Sequence, residues 1–299
     1  MSTPALGYAL VAFAAASWGL WPLILRYAEG FGPVDATVWS AALMGVSTLA
    51  TVPSLARFEV TAAHRAKLRY VALLGVSNAA NAWFFFQAYR TTSVALAICT
   101  HYLAPILVSL FAPFVNGEAR HPRAVASAFI GFGGLLLILN PWSAVLDRAA
   151  LLGSAFGVAS AFAYAANVFL NRRIGDTFTG AQITCLHGVV ATLLLLLLTS
   201  KSAWMNTSAA TLGVVAASGL TLGAASGIAF IVGLRFIPTA HAAVLTFAEP
   251  VVALILGVTL LGESLSARAC LGAIAVVCAG VYVVLPETAA ARTKARSEI

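Results

Sequence analysis

Residues 104–118, APILVSLFAPFVNGE, return in altered form at residues 249–263, EPVVALILGVTLLGE, 145 positions further along a chain of 299 residues. Both segments have proline at the second position and end in Gly-Glu. The same displacement superimposes Arg90 on Arg235, so the similarity extends into the residues before each segment. The chain therefore contains an internal duplication.

Apolar residues dominate the whole chain, since 61% are hydrophobic and 9% are charged. This composition lies far outside the range of soluble globular domains. Apolar runs long enough to span a bilayer, roughly 17–25 residues each, lie near 6–25, 34–53, 69–89, 94–114, 123–140, 151–170, 179–199, 211–233, 240–260 and 268–285. We predict an all-α polytopic membrane protein with ten transmembrane helices.

Each half of the chain holds five of these runs. An odd number of crossings makes the second half enter the bilayer from the opposite side, which predicts two inverted five-helix repeats, an architecture typical of secondary transporters. The predicted units are residues 1–146 and 147–286, followed by a basic cytoplasmic tail at 287–299.

Basic residues are distributed unequally between the two sets of loops. One set holds Arg57, Arg65, Lys67, Arg69, Arg120, Arg123, Arg172, Arg173 and Arg235, and the tail adds three more. The other set holds Arg26, Arg90, Arg148, Lys201 and Arg268. Cytoplasmic loops carry the excess of Lys and Arg in membrane proteins, so we expect both termini in the cytoplasm. The basic charge indicates topology, and we expect no nucleic-acid partner.

The four cysteines, Cys99, Cys185, Cys270 and Cys278, all lie within predicted spans, without a CxxC pair or a cluster at metal-ligand spacing. We expect no disulfide, no metal and no cofactor. Composition does not distinguish a monomer from a homodimer.

Polar and aromatic side chains recur at equivalent positions of the two halves. Asn78 and Asn81 lie three residues apart in helix 3, and the repeat maps Asn81 onto Ser226 in helix 8. Polar groups within a bilayer are costly unless they face a partner or a cavity, so we predict that these faces line a central cavity. The predicted substrate-binding residues are Trp18, Trp21, Asn78, Asn81, Phe85, His101, Tyr102, Tyr164, Asn167, Ser226 and Phe230.

Three residues are assigned to coupling or gating, each with a structural alternative. Pro105 and Pro250 each remove a helical hydrogen bond, which either only kinks the helix or offers a free carbonyl to a ligand. Glu249 is an acid deep in a predicted span, and it is either a proton relay or a protonated acid bonded to a neighbouring helix. The same choice applies to His101, and the aromatic residues are also compatible with packing alone.

Two five-helix halves, each with a proline segment that leads through Gly-Glu into a glycine-rich last helix, resemble the EamA branch of the drug/metabolite transporter superfamily. Two stretches are similar to the YddG-type exporters of aromatic amino acids: Glu29-Gly30-Phe31-Gly32-Pro33-Val34, and Tyr102-Leu103-Ala104-Pro105 running on to Leu110-Phe111-Ala112 and Asn116-Gly117. Glu249 before Pro250 is closer to the wider EamA pattern. The resemblance implies a basket-like cavity, open to one side at a time, for export across a bacterial inner membrane.

The residues suit a small amphipathic substrate, since amides can bind the charged end of an amino acid and aromatic rings its apolar side chain. We expect a secondary transporter that exports aromatic or other hydrophobic amino acids. An exporter of lipophilic drugs or other neutral metabolites would suit the same lining. A membrane-embedded enzyme would need paired acids, a metal triad or a nucleophile beside a base, and the sequence displays none of these.

Overall fold

The structure, a computed structural model, is helical throughout the residues that it describes, 3–32 and 35–285. The predicted tail at 287–299 lies outside them, as do Pro33 and Val34. The α-helices are α1 (Thr3–Trp18), α2 (Trp21–Glu29), α3 (Ala36–Thr51), α4 (Ala62–Thr91), α5 (Val94–His101), α6 (Ala104–Asn116), α7 (Pro122–Leu139), α8 (Arg148–Ile174), α9 (Gly180–Leu198), α10 (Lys201–Asn206), α11 (Ala209–Ser218), α12 (Ser226–Gly233), α13 (Thr239–Leu245), α14 (Ala248–Leu261) and α15 (Ala267–Val284). A π-helical segment, Gly219–Ala225, joins α11 to α12.

Nine helical segments of the described chain are long and apolar enough to cross a bilayer, and each contains most of one predicted span. Pairs such as α1 with α2, and α5 with α6, form single segments. The remaining predicted span, 69–89, lies inside α4, a helix of 30 residues. Asn78, Asn81 and Gln87 lower the mean hydropathy of α4, so it is not among the nine segments. The structure therefore supports nine spans, or ten if α4 also crosses the bilayer.

Helices from the two halves pack in pairs that are preserved when the halves are exchanged. α4, the third segment of the first half, packs along α8, the first segment of the second half. In the same way α1, in the first segment of the first half, packs along α12, in the third segment of the second half. The second segments, α3 and α9, pack together, and so do the fifth, α7 and α15. The packing is that of duplicated halves.

Polar contacts between the halves hold one end of the bundle together. Tyr8, in α1, contacts His241, in α13, with 2.7 Å between Tyr8 Oη and His241 Nδ1. Glu118, after α6, accepts a hydrogen bond from the N–H of Thr239 at the start of α13 and pairs with Arg172 in the last turn of α8. Hence the start of α1 and the end of α8 lie at the same end of the bundle. We call it the basic end.

A second contact at the basic end joins α4 to the loop after α8. Lys67 Nζ lies 2.5 Å from Asp176 Oδ1 and donates to the carbonyl of Arg173. The hydrogen bond from Lys67 lowers the pKa of the Asp176 carboxyl. A lowered carboxyl pKa stabilises the folded chain at neutral pH, and this contribution is lost as the pH falls through that pKa.

The two copies of the Gly-Glu motif end helices in the same way. Gly117 ends α6 with φ 67° and ψ 24°, and Gly262 ends α14 with φ 69° and ψ 23°. A left-handed residue at the end of a helix is strained for any side chain with a Cβ, which explains glycine at both positions. The motif therefore places Glu118 and Glu263 at equivalent positions, directly after their helices.

Three helical segments are broken next to a proline. α1 gives way to α2 just before Pro22, α5 to α6 before Pro105, and α13 to α14 before Pro250. At each break a backbone N–H reaches the carbonyl three residues earlier, as from Leu20 to Ser17 and from Phe247 to Val244. A proline has no N–H and clashes with the preceding turn, so the α-helical ladder stops there.

The crossing of α7 and α15 allows no added atoms. A Cβ on Gly134 would lie 2.6 Å from the carbonyl oxygen of Gly272, whereas one on Gly133 would meet nothing within 4 Å. We expect Gly134→Ala to destabilise the protein by about 1–3 kcal/mol through overpacking. Gly133→Ala should be neutral or slightly stabilising because alanine favours the helix. Thermal unfolding of both variants in the same detergent measures the difference, and equal stabilities would contradict the close crossing.

Candidate functional site

The three helix breaks adjoin one another inside the bundle. Gly19, at the first break, packs so closely on the third that a Cβ there would lie 2.7 Å from the carbonyl oxygen of Glu249. Tyr102, at the second break, lies against Phe247 at the third, with ring centroids 5.7 Å apart. Discontinuous helices of this kind form the binding sites of many secondary transporters.

A hydrogen-bonded chain of three polar residues crosses α4, α8 and α5 beside this junction. Ser160 donates its hydroxyl proton to Asn81 Oδ1 at 2.9 Å. His101 Nδ1 lies 2.8 Å from Ser160 Oγ. Since the Ser160 proton is directed to Asn81, His101 is the donor in that second contact, and its Nε2 is left as an acceptor. We call Asn81, Ser160 and His101 the polar cluster.

Aromatic rings surround the imidazole of His101. Its centroid lies 4.9 Å from Phe85, 5.6 Å from Tyr102 and 5.6 Å from Tyr164. The polar cluster is thus enclosed by flat apolar surfaces contributed by both halves. Aromatic pairs at such distances also stabilise the packing of the helices that carry them.

Glu249 lies in the first turn of α14, next to these rings. Its carboxyl is near enough to the hydroxyls of Tyr102 and Tyr164 to interact with both electrostatically. The Tyr102 hydroxyl is buried beside this carboxyl, but the two groups do not meet in a hydrogen bond of normal geometry. The Glu249 carboxyl therefore lies near residues of both halves of the chain.

Three of the predicted residues, Trp18, Phe230 and Ser226, lie on a different interface, between α1 and α12. Trp18 packs on Phe230 with centroids 5.4 Å apart, and its indole N–H donates to the carbonyl of Leu222 in the π-helical segment. Ser226 donates its hydroxyl to the carbonyl of Thr221 and is buried. Trp18, Phe230 and Tyr164 all contact the same apolar core, so this interface borders the rings around His101.

Trp21 and Asn78 also have partners outside the polar cluster. Trp21 packs edge-on against Trp39 at 5.0 Å and lies 5.9 Å from Phe86. Asn78 Nδ2 lies 3.0 Å from Nε2 of His187 in α9. Both residues are half-buried, and both connect α4 or α2 to neighbouring helices.

Asn167 is buried in α8, and its side-chain oxygen has no hydrogen-bond partner among the described residues. Its carbonyl accepts from the amide of Asn171 one turn later. Trp21, predicted together with Asn167 to line one cavity, packs instead on rings of α3 and α4.

The sequence analysis missed Ser160 and His187. Ser160 lies one turn before Tyr164 on the same face of α8, and this spacing could have identified it. His187, in α9, contacts the side chain of Asn78. In the described ranges, no group of three His, Cys, Asp or Glu side chains is placed to hold a metal, and the four cysteines are free.

An apolar groove with a volume near 570 Å³ lies between α14 and α15. It is lined by apolar residues, among them Val244, Val251 and Val276, and by none of the predicted substrate-binding residues. A surface of this kind faces lipid in a membrane protein.

Comparison with protein families places the chain among transporters. The sequence model of the EamA-like transporter family matches residues 5–140 and 151–285. An uncharacterized transporter, YxxF, of Bacillus subtilis strain 168 is 27% identical over 180 residues, which are 60% of this chain and 58% of that protein. An uncharacterized transporter of Clostridium kluyveri is 22% identical over 220 residues, 70% of each chain.

A shorter match links the chain to a relative with a named substrate class. The aromatic amino acid exporter YddG of Ancylobacter novellus is 36% identical over 58 residues, 19% of this chain and 20% of that protein. A solved crystal structure aligns with 95% of this chain and 98% of its own at a TM-score of 0.76, with 20% sequence identity. That likeness establishes the fold.

Ser160 offers a direct test of the polar cluster. Ser160→Ala leaves His101 and Asn81 without their shared partner, so we expect a loss of about 1–3 kcal/mol of stability. Ser127→Ala is the matched control, because Ser127 is fully buried in α7 and its hydroxyl has no partner among the described residues. That change should be neutral or stabilising. Thermal unfolding of both variants decides it; an equal loss in each would mean that the chain through Ser160 contributes nothing.

Proposed function

The chain belongs to the EamA-like transporter family, a family of transporters and not of enzymes, and we propose that it exports aromatic or other hydrophobic amino acids by alternating access through a central cavity. The observation that carries this proposal is the polar cluster enclosed by aromatic rings where the three broken helices adjoin. Its substrate is a small molecule, and its location is a lipid bilayer.

The groups at the junction complement a zwitterionic amino acid. The Asn81 amide N–H groups suit the substrate carboxylate, and His101 Nε2 and the Glu249 carboxyl suit its ammonium group. Phe85, Tyr102 and Tyr164 offer surfaces for an aromatic or aliphatic side chain. A binding site that combines a few polar groups with apolar walls is typical of small-molecule sites.

Charge at the junction disfavours strongly anionic substrates. Among the described residues, no Arg or Lys contacts the polar cluster, and the arginines that make hydrogen bonds or ion pairs lie near helix ends. A nucleotide sugar or a phosphate ester would favour a cationic clamp. The short match to an aromatic amino acid exporter supports the same substrate class.

The proposed topology has two inverted five-helix repeats, residues 1–146 and 147–286, with both termini in the cytoplasm of a bacterial cell and the protein in its inner membrane. The beginning of α1 and the end of α8 at one end of the bundle support the inversion. The excess of Arg and Lys at that end supports a cytoplasmic orientation. The predicted span in α4 is then the tenth.

Glu249 is the proposed coupling residue. It lies at the break that Pro250 follows, between the Tyr102 and Tyr164 hydroxyls, so a change in its protonation alters contacts with both halves. An acid at such a position within a membrane helix is a common element of proton-coupled transport.

Transport by purified protein in proteoliposomes tests the substrate class. We expect radiolabelled phenylalanine and tryptophan to be transported faster than glutamate or a lipophilic cation. Asn81→Leu, which keeps the volume but removes the amide, should slow phenylalanine transport by about tenfold or more, the effect of one lost hydrogen bond to a charged group. Asn78→Leu is the comparison, since its amide is bonded to His187. If the lipophilic cation is transported faster than phenylalanine, and Asn81→Leu does not slow its transport, the protein is a drug exporter instead.

Glu249→Gln tests proton coupling, because glutamine keeps the shape and a hydrogen-bonding end but does not titrate. We expect the variant to bind phenylalanine yet to lose the response of transport to a pH gradient. Glu29→Gln, which changes an exposed acid at the end of α2, should keep that response. Wild-type transport that ignores a pH gradient would remove the coupling role and leave Glu249 as a structural acid.

A further inference from the structure

Two ion pairs occupy equivalent places at opposite ends of the bundle. Glu118 and Glu263 each follow the left-handed glycine that ends the fourth helical segment of their half. Arg172 and Arg26 each lie in the last turn of the first segment of their half. Glu118 pairs with Arg172 and Glu263 pairs with Arg26, so each pair joins one half to the other.

The two pairs differ in closeness and in burial. Arg172 Nε lies 3.0 Å from Glu118 Oε1, and these side chains are 31% and 11% exposed. Arg26 Nη1 lies 3.7 Å from Glu263 Oε1, and these side chains are 62% and 56% exposed. The first pair is a partly buried hydrogen-bonded ion pair, while the second is a loose surface contact of little energetic weight.

Among the residues that the structure describes, further side-chain hydrogen bonds secure only the first pair to neighbouring elements. Glu118 also accepts from the N–H and the hydroxyl of Thr239 in the first turn of α13. Arg172 also donates to the carbonyl of Leu234 after α12, at 2.5 Å. The loop after α6 and the ends of α8, α12 and α13 are thus held together, which closes the basic end.

The start of α13, next to Glu118, lacks a side-chain cap, whereas the equivalent start of α5 has one. Pro238 precedes α13 and makes no side-chain cap, so Glu118 supplies the acceptor that the helix start lacks. The equivalent helix start, that of α5, has its own cap, since Ser93 Oγ accepts from the N–H of Leu96. Glu263 therefore has no uncapped helix start to bind.

We propose that these pairs are two symmetry-related gates that close alternately, the Glu118–Arg172 gate at the basic end and the Glu263–Arg26 gate at the opposite end. In the structure the first gate is tightly closed, whereas the second is a loose and exposed contact. In the reverse state Glu263 and Arg26 approach as Glu118 and Arg172 do here, and Glu118 separates from Arg172. The inference rests on the alternating access of the proposed function, but not on the identity of the substrate.

Distances between spin labels at both ends test the proposal without any ligand. Labels at Ala119 and Phe236 span the basic end, and labels at Ser264 and Thr91, their repeat equivalents, span the other end. They are introduced into a full-length chain whose four cysteines are replaced, reconstituted in nanodiscs and measured by pulsed electron paramagnetic resonance. We expect one short distance at the basic end and a longer one at the other.

Glu118→Ala should create a second, longer distance at the basic end and a shorter one at the opposite end. The ratio of molecules closed to molecules open at the basic end should fall about tenfold or more, as for the loss of charged hydrogen bonds. Glu263→Ala should leave the basic end closed. Exchanging the charges, Glu118→Arg with Arg172→Glu, should restore part of the short-distance population relative to Glu118→Ala, because the ion pair returns but the bonds to Thr239 and Leu234 do not.

Asp176→Asn is the matched control at the same end. It removes the ion pair with Lys67, but that pair joins α4 to the end of α8, two helices that pack along their lengths. We expect unchanged distances at both ends of the bundle.

If Glu118→Ala does not fold, Arg172→Gln replaces it, because Glu118 then keeps its bonds to Thr239. Two results would overturn the proposal of alternating gates. Either the distances at both ends of a folded variant match those of the wild type, or both ends open together. A gate response in a protein that transports no amino acid would refute only the substrate assignment.

Discussion

The absence of water from a bilayer is the constraint on which this structure depends. Every backbone N–H and C=O within the hydrocarbon must find a partner in the protein, and unbroken helices provide that partner at the lowest cost. The chain departs from this rule at three proline-linked breaks, where tighter turns take over part of the hydrogen bonding. These breaks adjoin one another, so the irregular backbone is covered by protein and lies away from lipid.

The same constraint explains where the polar side chains lie. Asn81, Ser160 and His101 satisfy one another across three helices, which allows amide, hydroxyl and imidazole groups to remain deep in the bundle. Most charged residues instead lie near helix ends, where water and lipid headgroups solvate them. Glu249 lies instead at a helix start inside the bundle, and its neighbours are hydroxyls rather than cations.

Sequence alone predicted the positions of the helical segments and the duplicated organisation, because hydropathy and internal repeats depend on local sequence. It also located Asn81, His101, Phe85, Tyr102 and Tyr164, which the structure brings together. Helical spacing identifies a face of one helix but not the helix that it meets. For this reason the link through Ser160, the contact of Asn78 with His187 and the separate packing of Trp18 were not foreseen.

Repeat spacing had a similar limit. A constant displacement treats the halves as equal, whereas the structure holds one Gly-Glu motif in a partly buried ion pair and the other in an exposed one. The difference arises from residues outside the motif, chiefly Pro238 where the first half has Ser93. Equal motifs can therefore take unequal roles when their surroundings have changed.

The π-helical segment is best explained as the result of a one-residue insertion after the duplication. Gly75 and Gly219 each pack against a valine in the second helix of the opposite half, as equivalent residues should. Between Gly219 and Ser226 the chain has one residue more than between Gly75 and Asn81. In a regular helix one added residue would rotate everything beyond it by about 100°. A wider turn absorbs it and keeps both packing faces in register, so the descendants of one ancestral helix now differ in stiffness at the same depth in the membrane.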